Sequence, residues 1–133
     1  MNKNIPIKNF HHVAFRCRDA EQTRWFYEDI LGLKLAAAMS FDNLSGTEKK
    51  IEYMHIFFEM VDGNYIAFFD DPYNAESDSF KDMNGFDSHV AVEVESMEHL
   101  KEIETKLNTI NWGSFIIDHE FVTSLYIFDP NGI

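Results

Sequence analysis

The sequence predicts an α+β fold made of two copies of one strand–helix–strand–strand–strand unit, and three observations lead there. Two strand-like runs open on the same word, His12-Val13-Ala14-Phe15 and His89-Val90-Ala91-Val92. Each run is followed by a polar capping residue and an amphipathic stretch. The matching positions also keep one offset: His12 to His89, Asp19 to Ser96, Phe26 to Ile103 and Ile30 to Leu107 are each 77 residues apart. A fixed period with matched residue types is the mark of an internal duplication.

Residues 10–17 alternate as a strand does, with His12, Ala14 and Arg16 on one face and Val13, Phe15 and Cys17 on the other. The second set is read as core against a helix, which makes Cys17 a packing residue. Asp19 caps that helix, with Gln22 at the capping-box position and Gly32 just past its end. Ala20, Trp25, Phe26 and Ile30 form its apolar stripe. Leu33 to Phe41 reads as a second strand and residues 42–50 as a loop. Tyr53 to Met60 is a third strand, and Asp62-Gly63-Asn64 turns it into a fourth, Tyr65 to Asp70.

The first unit thus spans residues 8–70, and the polar, acidic stretch 71–85 reads as a linker. The second unit, 86–133, opens with a strand at His89 to Val94. Ser96 caps a helix whose buried stripe is Met97, Leu100, Ile103 and Leu107. Trp112 to Asp118 and Phe121 to Phe128 are strands, and Asp129-Pro130-Asn131-Gly132 is a turn. By analogy with the first unit another strand would follow Gly132, so in the sequence as given the second unit lacks its last strand. The length, 133 residues, suits a single domain.

Thirteen phenylalanines and an apolar content of 45% exclude compositional disorder. The formal charge of −12, without a basic stripe, argues against nucleic acid as a partner. The single cysteine allows no intrachain disulfide. With no long apolar run and no signal-like start, the expectation is a cytoplasmic protein with no membrane partner.

The paired units, with His12-Val13-Ala14-Phe15, Trp25-Phe26-Tyr27, Leu31-Gly32-Leu33, Asp62-Gly63-Asn64, His89-Val90-Ala91-Val92 and the run Ser124 to Gly132, resemble the vicinal oxygen chelate superfamily. That group includes glyoxalase I, extradiol dioxygenases, fosfomycin-modifying thiol transferases and bleomycin-resistance proteins. The resemblance implies two βαβββ modules curled into a concave mixed sheet around one divalent metal, in a homodimer. It implies His12 and His89 as metal ligands, and places a third, carboxylate ligand about three residues beyond Ile133. His11 is expected to point to the opposite face.

Ala67 stands where glyoxalase I carries a further ligand, which counts against that chemistry. A set of two histidines and a carboxylate instead suits Fe(II) or Mn(II), with Zn(II) also compatible. Tyr126 and His119 match a tyrosine and a histidine of extradiol dioxygenases, and His55 is the candidate acid–base residue. Tyr65, Ala67, Phe69 and Phe128 would line a site for a flat or aromatic small molecule, with Arg16 pairing with a substrate anion. The expected function is therefore a metal-dependent enzyme, extradiol-dioxygenase-like more than glyoxalase-I-like. The alternative is a metal-free module that sequesters a small aromatic compound.

Overall fold

A computed structural model describes residues 5–81 and 84–133. Strand β1 (His12–Cys17) leads into helix α1 (Ala20–Arg24), which continues as a π-helical turn, Trp25–Ile30. Strands β2 (Lys34–Asn43), β3 (Lys50–Glu59) and β4 (Tyr65–Asp70) complete the first unit. A short 3-10 turn, Ser77–Phe80, precedes helix α2 (Met97–Thr109) and strands β5 (Ser114–Asp118) and β6 (Thr123–Ile127). The first unit forms a four-stranded sheet in the order β1-β4-β3-β2, and β5 and β6 pair as a separate two-stranded sheet. The strand β1 lies parallel to β4, while β3 runs antiparallel to both β4 and β2. Mixed α+β architecture is as expected.

The two helices begin alike. Asp19 accepts from the Gln22 amide at 2.7 Å, and Ser96 accepts from the His99 amide at 3.2 Å. Both caps are extended in backbone and satisfy an amide that the first helical turn leaves unbonded. Gly32, at φ +80, turns the chain out of the first helix at negligible steric cost. The sequence pattern reads that helix as regular, yet its second half widens, with the Leu31 amide bonding the Phe26 carbonyl at 3.0 Å.

Period-two alternation decides the core. Val13, Phe15 and Cys17 fall on the helix side of β1, in register with Ile66 and Phe68 of β4, and Ile56 and Phe58 of β3 share that face. Phe26, Tyr27 and Ile30 pack onto it from the first helix, and Leu107 from α2. Trp112 joins the units at ring distances of 5.8 Å to Trp25 and 5.5 Å to Phe26. Its indole N–H donates to the Phe128 carbonyl at 2.7 Å.

A buried polar knot also ties the two units. The Tyr27 hydroxyl donates to the Asp129 carboxylate, and Asp129 accepts further from the Asn131 and Ile133 amides. The Asn131 side chain takes the Arg18 amide at 2.8 Å and donates to the Thr23 hydroxyl at 3.3 Å. The Asp-Pro-Asn-Gly stretch is a turn, as expected, but one whose polar side chains are buried against α1.

Three expectations are corrected. Residues 89–94 form no strand, although their pattern repeats that of β1. A ladder needs a partner: β1 has β4, and no described element pairs with 89–94. Met97 is 45% exposed and not part of the buried stripe of α2, because it sits at the first helical position, beyond the reach of the core. The stretch 71–85 is more than a linker: Asp71 is buried and bonded by the Asn74 amide group, and Phe80 is tucked in by the 3-10 turn. Asp82 and Met83 of that stretch lie outside the described residues.

Candidate functional site

The face of the first sheet away from the helices carries the chemistry. Register places His12, Ala14 and Arg16 of β1 beside Tyr65, Ala67 and Phe69 of β4. Phe57 and His55 of β3 pair in turn with Ala67 and Phe69. This register sets His55 on the same face as His12. The His12 ring lies 6.1 Å from that of His55 and 5.2 Å from that of Phe57.

His55 is packed between aromatic rings, stacked on Phe69 at 4.0 Å and set 4.2 Å from Phe57. Its Nε2 is buried with no hydrogen-bond partner. Burial, and secondarily the neighbouring His12, hold its pKa below that of an ordinary histidine, so the neutral ring is favoured. At the start of β1, the Nδ1 atoms of His11 and His12 approach to 2.8 Å. His11 therefore turns back toward His12 and Tyr65 and does not point to the opposite face. It precedes the first ladder residue, so strand alternation does not bind it.

A cleft of about 460 Å³ opens beside His55, lined by Arg16, Phe69, Tyr53, Phe41 and Asp71 among others. The Arg16 guanidinium donates to the Asn74 carbonyl at 3.2 Å, and no carboxylate lies within ion-pair distance of it among the described residues. A second cleft of about 510 Å³ shares Phe41 and Tyr53 but carries the carboxylates of Asp42, Glu52 and Asp70.

Ala67, expected as a lining residue, is corrected: it is fully buried. The His12 and Phe57 rings, from the strands on either side, meet above a methyl group too short to reach between them. Tyr65 is half-buried against His11 and Phe57, and Phe69 reaches the cleft.

The second unit gathers its own cluster. The Tyr126 ring lies 6.5 Å from His89 and stacks on Phe115 at 5.1 Å, and its hydroxyl is 3.0 Å from His119 Nε2. Phe128, just past β6, is 57% exposed and contributes only its carbonyl to a described contact. Thus Tyr126, His119 and His89 come together, as do His12, His55 and Phe69. His12 and His89 make no ring contact with each other among the described residues. The donor chemistry of two imidazoles suits a divalent transition ion. No group of three His, Cys, Asp or Glu side chains that could hold one is assembled among the described residues.

Phe41 and Tyr53 are lining residues that sequence reasoning passed over. Tyr53 stands two positions before His55 on the same strand, so alternation would have placed it on this face. Asn74 and Asp71 gave no signal, since their positions depend on a loop fold.

The comparisons bear on the fold and the family. The family model for the glyoxalase/bleomycin resistance protein/dioxygenase superfamily matches residues 9–133. A domain described by the same family terms from Frankia sp. EAN1pec superposes with TM-score 0.73 at 17% identity, covering 96% of this chain and 88% of that one. The trypanothione-dependent glyoxalase I of Leishmania major gives TM-score 0.68 at 18% identity, over 95% and 82% of the two chains. The Listeria monocytogenes fosfomycin resistance protein FosX, solved as a variant with Mn(II) and a dihydroxypropylphosphonic acid, gives 0.62 at 15% identity, over 94% and 88%. A search of curated proteins finds no significant match. No helix of the described residues is long and apolar enough to cross a membrane. With the family match running over residues 9–133 and the fold shared with solved structures of similar description, the chain belongs to the glyoxalase/bleomycin resistance protein/dioxygenase superfamily.

Proposed function

We propose that the protein is a metal-dependent enzyme of this superfamily acting on a small, flat substrate. The observation that carries the reading is the sheet face that carries His12 and sets His55 in an aromatic cleft, with Tyr126, His119 and His89 grouped in the second unit. His12 and His89 would supply imidazole ligands to Fe(II), Mn(II) or Zn(II). Bound there, the ion would polarise adjacent substrate oxygens and stabilise developing negative charge. His55 is assigned to proton transfer, and Tyr126, held by His119, to donating a hydrogen bond to the substrate. Tyr65, Phe69 and Phe128 are assigned to substrate contact. Ala67 lacks a donor and Tyr126 pairs with His119, which supports an extradiol-dioxygenase-like reaction over the glyoxalase I isomerisation.

Metal analysis of protein purified without chelator tests this. The wild type is expected to retain a transition metal, and His12→Ala and His89→Ala to lose it. Less than about a tenth of an equivalent in the wild type would overturn the enzyme reading. One observation favours the second reading, a metal-free binding module: no three-donor group is assembled among the described residues. That module would retain its ligand after chelation, with an unchanged melting temperature.

A further inference from the structure

We infer that the cleft beside His55 takes a planar aromatic acid, with its anionic group on Arg16 and its ring against Phe69, Tyr53 and Phe41. This rests on the proposed small-molecule site and names the substrate class for it.

The charge pattern selects the anion. On a chain of net charge −12, Arg16 is the one Lys or Arg lining this cleft among the described residues. Its guanidinium carries five N–H donors in a planar fork suited to a carboxylate. One of these donates to the Asn74 carbonyl, and no carboxylate of the described residues is within ion-pair distance. The acid nearest in the lining, Asp71, is buried and accepts the Asn74 amide group on both of its oxygens, at 2.8 and 3.1 Å. Asn74 therefore holds Arg16 by its carbonyl and occupies Asp71 by its amide, and the remaining guanidinium donors are left for a ligand. The adjoining cleft, with the carboxylates of Asp42, Glu52 and Asp70, disfavours the same anion.

The ring surface selects a flat body. Phe41 lies on Tyr53 at 5.0 Å and 19°, Tyr53 meets Phe69 at 6.0 Å, and Phe69 stacks on His55 at 4.0 Å and 20°. Phe41 and Phe69 remain 37% and 36% exposed, so a continuous strip of ring faces the solvent. Arg16 is the register partner of Phe69, which sets the cationic group at the edge of that strip. About 460 Å³ holds a molecule of one or two rings.

The test uses 4-fluorobenzoate and its neutral isostere 4-fluorobenzamide, followed by fluorine NMR with the full-length protein in EDTA. The acid should bind at least about tenfold more tightly than the amide, and Arg16→Gln should remove that preference, since a charge-assisted bidentate pair is lost. Equal binding of acid and amide to the wild type overturns the inference, and this arm needs no variant. An acid preference that persists in Arg16→Gln of unchanged melting temperature overturns it too. Failure of the metal reading shows separately, as absence of metal in wild-type protein with the acid preference intact.

Discussion

The Tyr27 hydroxyl donates to the Asp129 carboxylate at 3.0 Å in the buried interior, joining residues 102 positions apart. Both groups are otherwise poorly solvated, so each depends on the other. Removing the donor with Tyr27→Phe should cost about 1–3 kcal/mol, the range for leaving a buried acceptor short of a partner. Denaturant midpoints measure this. Asp129→Ala should cost more than Asp129→Asn, because the amide retains an oxygen for the Asn131 and Ile133 amides.

The same carboxylate makes stability depend on pH. Burial raises the Asp129 pKa, against the opposing pull of its hydrogen bonds to Ile133, Tyr27 and Asn131. The folded state therefore holds this proton more tightly than the unfolded chain. Its contribution is full at pH below the ordinary aspartate value and is lost as pH rises through the raised folded value. Asp129→Asn should remove that part of the slope. Urea melts of both proteins across the acidic range check the sign.

Cys17 should be inert in the folded protein. It is fully buried, and burial pushes its thiol up to about 12. Alkylation by iodoacetamide at neutral pH should proceed only as fast as the chain opens. Rates that match those of a free thiol would show that β1 is not packed against the helix. Above the ordinary thiol value the unfolded chain loses this proton first, so stability should fall as pH climbs toward about 12.

His55 invites a trade between stability and function. Its buried Nε2 lacks a partner, a deficit of about 1–3 kcal/mol, while its ring packs well on Phe57 and Phe69. His55→Phe should be neutral or stabilising by up to about 2 kcal/mol, and should abolish the proposed proton transfer. Thermal melts beside turnover assays measure the two effects. A clear loss of stability would mean that Nε2 has a partner in solution.

How much of this was legible in the sequence depended on distance along the chain. The Asp19 and Ser96 caps act within three residues, and both were readable from residue type. Alternation placed His12 opposite Val13 and Phe15, and it would have placed Tyr53 with His55. The strand at 89–94 failed for a physical reason: its pattern matches that of β1, but pairing is a property of two segments. The burial of Asn131 was hidden for a similar reason, since Asp-Pro-Asn-Gly describes a turn and says nothing of Thr23 at the far end of the chain. Arg16 was visible as a cation on the His12 face. What Asn74 does to it was not, because the loop that carries Asn74 has no periodicity.

The knot between Tyr27 and Asp129 also sets an order of events during synthesis. Tyr27, Thr23 and the Arg18 amide leave the ribosome about a hundred residues before their partners in the final turn. At roughly 5–20 residues per second the wait is on the order of 5–20 s. During that interval the Tyr27 and Thr23 hydroxyls and the Arg18 amide are without the partners they bond in the final turn of the folded protein. The polar groups of the first helix are therefore fully satisfied only once the turn at 129–132 has been made.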